Sequence, residues 1–170
     1  VDAVAATIEE LDLPNVVLDP VMMSSSGKRL LDDDGVQALR RELLPRARVI
    51  TPNIPEAEAL SGCSIASSDD RRRAAARLHD MGAAAVLITG GHAIGALLDE
   101  GREVVDLLFD GRSFTELRTP RAVHPGGAGA HGTGCTLASA LAAGLALGES
   151  LPDAAARAQR YVAGAIAHGL

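Results

Sequence analysis

The sequence predicts an α/β domain with a mainly parallel sheet and an antiparallel edge, on three observations. Strand-like and helix-like segments alternate along most of the 170 residues, the pattern of βαβ units. Hydrophobic residues make up 47% of the chain but aromatics only 2%, with no Trp. The core must therefore be Leu, Val, Ile and Ala, as in parallel sheets covered by helices. Late in the chain two strand-like runs meet at Asp110–Gly111, a hairpin signal that supplies the antiparallel edge. The length suits one domain, residues 1–170.

Each element has its own warrant. Residues 3–12 have helical spacing, and "NVVLDP" (15–20) is a short buried strand stopped by Pro20. Residues 24–34 form a polar loop, 35–44 a helix, and 47–53 a second strand ended by proline. "PEAEALSG" (55–62) opens with Pro and closes with Gly, both helix-boundary signals. Residues 68–82 make an Arg-rich amphipathic helix, and 84–91 a strand running into Gly90–Gly91. The hairpin spans 103–119, a glycine loop 125–134, and two final helices 135–148 and 152–168.

Bulk properties exclude several function classes. Net charge is −6 and the pI about 5.3, so no basic stripe exists for nucleic acid, and "RRRAAAR" (71–77) reads as a solvated helix face. No apolar run is long enough to span a bilayer, and no signal peptide is visible. Cys63 and Cys135 lie too far apart in sequence to suggest a disulfide framework or a zinc site, so a reducing cytoplasm is expected. The chain opens on Val1, directly in a helical pattern, which reads as a fragment or a processed chain.

In open α/β sheets ligands bind beyond the carboxyl ends of the strands. That rule ranks Asp19, the pair Asn53 and Glu56, the run Thr89, Gly90, Gly91 and His92, and the loop before Cys135 as one expected rim. "HGTGC" (131–135) is the most informative stretch. A helix N-terminus offers unpaired N–H groups and about half a positive charge. Gly132 and Gly134 around Thr133 let that backbone approach an anion, so phosphate is the natural guest. Neither a P-loop nor a dinucleotide fingerprint is present. At the helix mouth Cys135 is expected to have a thiol pKa below the usual value of about 8.5 and could act as general base. The alternative is a small cysteine filling space between helix and sheet. Asn53 and Glu56, one turn apart, could organise Mg²⁺ through the carboxylate, or could simply cap their helix. His92 and His131 could contact phosphate or be surface histidines; Met22 and Met23 read as packing, and Cys63 as structural.

"VVLDPVMMSSSGKRLL", "LLPRARVITPNIPEAEALSG", "ITGGH" and "HGTGCTLASALAAGLALG" occur in an order and spacing that resembles hydroxymethylpyrimidine/phosphomethylpyrimidine kinases of the ribokinase-like superfamily, over about residues 1–168. The resemblance implies a ribokinase-like three-layer α/β/α fold. It implies ATP-dependent phosphorylation of hydroxymethylpyrimidine and then of its monophosphate, with ATP and Mg²⁺, and a possible homodimer. By motif match Cys135 takes the place of the catalytic base, and Gly132, Thr133 and Gly134 form the anion hole. Asn53 and Glu56 match the metal-organising motif, and Asp19 the phosphate and metal side. Two departures stand out. Such kinases usually carry lysine before "GGH", where this chain has Thr89; Lys28 or an arginine is the available substitute. The family also has an N-terminal portion ahead of these motifs that holds much of the pyrimidine pocket, so this chain is expected to be weakly active or inactive alone. The runners-up are a pyridoxal-type kinase that uses cysteine and a non-catalytic nucleotide-binding remnant.

Overall fold

The computed structural model describes residues 1–24, 26–91, 102–123 and 132–169. Helix α1 (Asp2–Glu10) precedes strand β1 (Val17–Leu18), and α2 (Asp33–Ala38) precedes β2 (Val49–Ile50). Then follow α3 (Ile54–Ser61), α4 (Ser68–Asp80), β3 (Val86–Ile88), β4 (Glu103–Phe109), β5 (Phe114–Pro120), α5 (Thr133–Ala146) and α6 (Leu151–Ala167).

The five strands lie in sequence order, β1-β2-β3-β4-β5. β1, β2 and β3 pair in parallel, with Val17 beside Val49 and Ile50 beside Val86. β4 runs antiparallel to β3, with Leu87 beside Leu108, and β5 antiparallel to β4. The mainly parallel sheet with an antiparallel edge is therefore present, and the hairpin turns at Gly111, whose φ of +87° suits a residue without Cβ. Ladder pairing is shorter than the runs 15–20, 47–53 and 84–91 suggest. Pro20 and Pro52 have no N–H to donate at the strand ends, and pairing gives way to a single bridge, Asn53 with Thr89.

Alternation along the strands divides the core. Ile50, Val86, Ile88 and Phe109 point to one face, where α1 to α4 cover them through Ala5, Leu39, Leu60, Ala74 and Leu78. Val49, Leu87 and Leu108 point to the other, against Leu137, Leu141 and Leu145 of α5 and Ala154, Ala155 and Ala158 of α6. Three layers result. Leu87→Ala, in the middle of the sheet, is expected to cost about 2–5 kcal/mol, read as a lower urea midpoint with an unchanged slope.

Two helix boundaries differ from the sequence pattern for local reasons. Asp32 accepts a 2.7 Å bond from the Gly35 N–H, so α2 starts at Asp33 rather than 35. Its continuation loosens into a π turn, Leu39–Leu43, where the Leu44 N–H reaches back to the Leu39 carbonyl, because Pro45 cannot donate to continue an α ladder. Among the described residues no helix is long and apolar enough to cross a membrane.

Candidate functional site at the carboxyl end of the sheet

Three elements bring their ionisable groups to one rim. Asp19 follows β1 directly; its Oδ2 is buried and has no hydrogen-bond partner. α5 arrives tip first. Its N-cap is Gly132 at φ +78°, a left-handed residue that β-branched side chains resist, and no side chain caps the helix. The first-turn N–H groups therefore stay unclaimed by side chains. A Cβ on Gly134 would sit 3.9 Å from the Asp19 Oδ2, so the glycine tip and the carboxylate adjoin. α5 begins at Thr133, two residues before the sequence pattern placed it, which makes Cys135 its third residue. Cys135 is exposed, so packing between helix and sheet is not its role.

The electrostatics correct one expectation. The helix mouth was expected to lower the Cys135 thiol, and instead the thiol is raised. Hydrogen bonding to Asp19 is the main cause, with burial and the charges of Asp19 and Glu56 adding to it. Two carboxylates outweigh the half charge of one helix end. Burial likewise raises Asp19, against a lowering from the Cys135 hydrogen bond. The sulfur and the carboxylate thus shift each other, the thiol upward and the carboxyl downward.

Asn53 and Glu56 form a full capping box. The Asn53 Oδ1 accepts from the Glu56 N–H at 2.9 Å, and the Glu56 Oε2 accepts from the Asn53 N–H at 2.9 Å. The capping reading therefore holds. Glu56 is nonetheless buried, and burial raises its carboxyl; the Asn53 backbone bond opposes this, and the charge of Asp19 adds to the rise. Glu56 therefore lies within electrostatic reach of both Asp19 and Cys135. It also reaches a cavity of about 340 Å³ that Met23, Arg29 and Arg40 help line. Met22 is buried in the core, as expected, whereas Met23 is exposed at that cavity.

A pH dependence follows with a definite sign. A carboxyl raised in the folded state contributes stability below its ordinary value of about 3.9 and loses that contribution as pH rises through the folded value. In magnesium-free buffer the stability difference, Asp19→Asn minus parent, is expected to grow as pH rises from about 4 to 7. Urea midpoints across that range check it, and a difference that shrinks would show that Asp19 is not raised.

The Thr89–Gly91 turn stands beside this group. The Thr89 N–H donates to the Pro52 carbonyl at 2.9 Å. The Gly90 N–H donates to Asp106 Oδ1 at 2.7 Å, so Gly90 shapes the turn and its N–H is already engaged. A Cβ on Gly90 would fall 2.1 Å from the Val105 carbonyl oxygen, whereas Gly91 is exposed and open. Asp106 carries no motif of its own, although a carboxylate in the middle of the apolar run "VVDLLF" signals that a buried partner must exist. His92, His131 and the glycines of 125–129 lie outside the described residues. Lys28 is exposed on the short turn between the paired residues Met23 and Arg29.

Comparison with known proteins bears on this geometry. The sequence model of the phosphomethylpyrimidine kinase family matches residues 1–170. The hydroxymethylpyrimidine/phosphomethylpyrimidine kinase of Bacillus subtilis is 42% identical over 172 residues, spanning 100% of this chain and 60% of that protein. The thiamine biosynthesis bifunctional protein ThiED of Geobacter sulfurreducens is 44% identical over 164 residues, 96% of this chain and 32% of that protein. Among solved structures, pyridoxal kinase of Bacillus subtilis in an ADP complex matches with a TM-score of 0.84 at 38% identity, covering 98% of this chain and 60% of that one. Phosphomethylpyrimidine kinase from Clostridium difficile matches with a TM-score of 0.77 at 33% identity, covering 96% and 62%. The chain thus spans about three fifths of the Bacillus subtilis kinases it matches.

Proposed function

This chain belongs to the phosphomethylpyrimidine kinase family, with a ribokinase-like fold, and on that premise we propose that it serves ATP-dependent phosphorylation of hydroxymethylpyrimidine and then of its monophosphate, in cytoplasmic thiamine synthesis. The observation that carries this reading is the meeting of Asp19, Cys135 and the uncapped glycine tip of α5 at one end of the sheet.

The chemistry follows from that meeting. The N–H groups of the tip, from Thr133 to Cys135, face the charge that develops on the transferring phosphoryl group. The acceptor hydroxyl oxygen forms a bond to the γ-phosphorus as the bond from that phosphorus to the ADP oxygen breaks. The hydroxyl proton passes to the Cys135 sulfur, which acts as the thiolate once its own proton has gone to solvent at the exposed helix mouth. The Thr89–Gly91 turn flanks the nucleotide phosphates, with Thr89 donating a hydrogen bond where a lysine would bring charge. The buried, unpartnered Asp19 Oδ2 and the Glu56 carboxylate suit Mg²⁺, which usually takes one or two protein oxygens and keeps its waters and phosphates. Bound there, Mg²⁺ would supply positive charge to the phosphates.

The test is ATP consumption with hydroxymethylpyrimidine, its monophosphate and pyridoxal as acceptors, on full-length protein. Turnover of both pyrimidines is expected. Turnover of pyridoxal alone would move the protein to pyridoxal kinase, the kind of enzyme it resembles at TM-score 0.84. Consumption with none of the three would leave a nucleotide-binding remnant.

A further inference from the structure

Asp106 sits in the middle of β4, 3% exposed, in a strand that is otherwise apolar from Val104 to Phe109. Both its oxygens are spent on neutral donors. Oδ1 accepts from the Gly90 N–H at 2.7 Å, and Oδ2 from the Gln159 Nε2 at 3.0 Å. The same Gln159 nitrogen donates to the Leu117 carbonyl at 2.9 Å, which ties α6 to β5. Arg71 is the cation whose charge reaches Asp106; its Nη1 donates to the Val105 carbonyl at 2.7 Å and makes no ion pair with Asp106.

A buried carboxylate without an ion pair is costly, so its presence asks for a reason. Two N–H donors approach it from two elements, and only a carboxylate offers an accepting oxygen to each. What it fixes is the start of the phosphate turn. Gly90 is pressed against β4 so closely that a Cβ would meet the Val105 carbonyl oxygen at 2.1 Å, and the bond from Thr89 to Pro52 pins the residue before it. With the Gly90 N–H drawn inward, Gly91 is the exposed residue of the turn.

We propose that Asp106, held by Gln159, is a positioning residue that sets the Thr89–Gly91 turn in the orientation that receives the phosphates of the nucleotide. This rests on the kinase reading above.

The test compares Asp106→Ala, Asp106→Asn and Gln159→Leu with the parent in ADP titrations and in separate KM values for ATP and hydroxymethylpyrimidine. Asp106→Ala is expected to weaken ADP at least tenfold and raise the KM for ATP in parallel, with the KM for the pyrimidine within about twofold. Asp106→Asn keeps an accepting oxygen for Gly90 but turns a donor toward Gln159, and is expected to recover part of that loss. Gln159→Leu frees one Asp106 oxygen and is expected to weaken ADP by about two- to fivefold; with Asp106→Asn it carries the test if the alanine variant does not fold. Parental ADP affinity in every folded variant, or an equal loss for both substrates, would overturn the proposal. Absence of ADP binding by the parent itself would overturn the kinase reading, and this inference with it.

Discussion

Cys135→Ala is expected to lower kcat for hydroxymethylpyrimidine by about 10²–10⁴, the usual contribution of a positioned general base. Folding stability should move by no more than about 0.5 kcal/mol, because the side chain is exposed at the helix mouth. The two phosphorylations separate this role from simple damage. The second acceptor is a phosphate oxygen, already largely ionised at neutral pH because the second phosphate pKa is about 6. It has little proton to surrender, so its rate should fall less than about tenfold. Single-turnover rates with each acceptor measure the contrast. Equal losses for both acceptors would assign Cys135 to the anion hole instead, and a parental rate for both would remove Cys135 from the proton transfer.

Gly90→Ala is expected to be the most damaging substitution of a single small residue. The added methyl would meet the Val105 carbonyl oxygen at 2.1 Å, and that obstacle is strand backbone, which cannot turn aside as a side chain can. Relief requires β3 and β4 to separate or the turn to lift, and either breaks the 2.7 Å bond to Asp106. About 3 kcal/mol is expected, the upper end of overpacking costs. That corresponds to a fall in Tm of about 6–12 °C for a chain of this size. Gly91→Ala is the matched control: nothing lies within 4 Å of its Cβ position, and Tm should stay within about 2 °C. Thermal unfolding of the pair decides it, and equal Tm values would show that Gly90 has room to move.

Much of this architecture is legible in the residues because local signals agree with one another. Pro55 and Gly62 bracket α3, Asp110–Gly111 marks the hairpin, and the alternation of Val, Leu and Ile in the strands serves two covered faces. The rim is legible for a similar reason: Asp19, Glu56, Thr89 and Cys135 all follow strands or open helices, where an open sheet exposes its chemistry. What stays hidden depends on residues far apart in sequence. The partnership of Gly90 with Asp106 spans 16 positions and that of Asp106 with Gln159 spans 53. The direction of the Cys135 shift depends on how close Asp19 and Glu56 come, 116 and 79 positions earlier by subtraction of their numbers. The π turn at Leu39–Leu43 needed Pro45 to be weighed against the helical spacing before it.

The three groups at the rim ride on three separately packed slabs: Glu56 on the α1–α4 side, Asp19 on the sheet, and Cys135 on the α5–α6 side. Their mutual spacing is therefore set by how the three layers pack, not by any one loop. Leu141, fully buried and six residues along α5 from Cys135, about 9 Å by helical rise, is a wedge between two of them. The approach of sulfur to carboxylate is thus set partly by apolar packing remote from both groups.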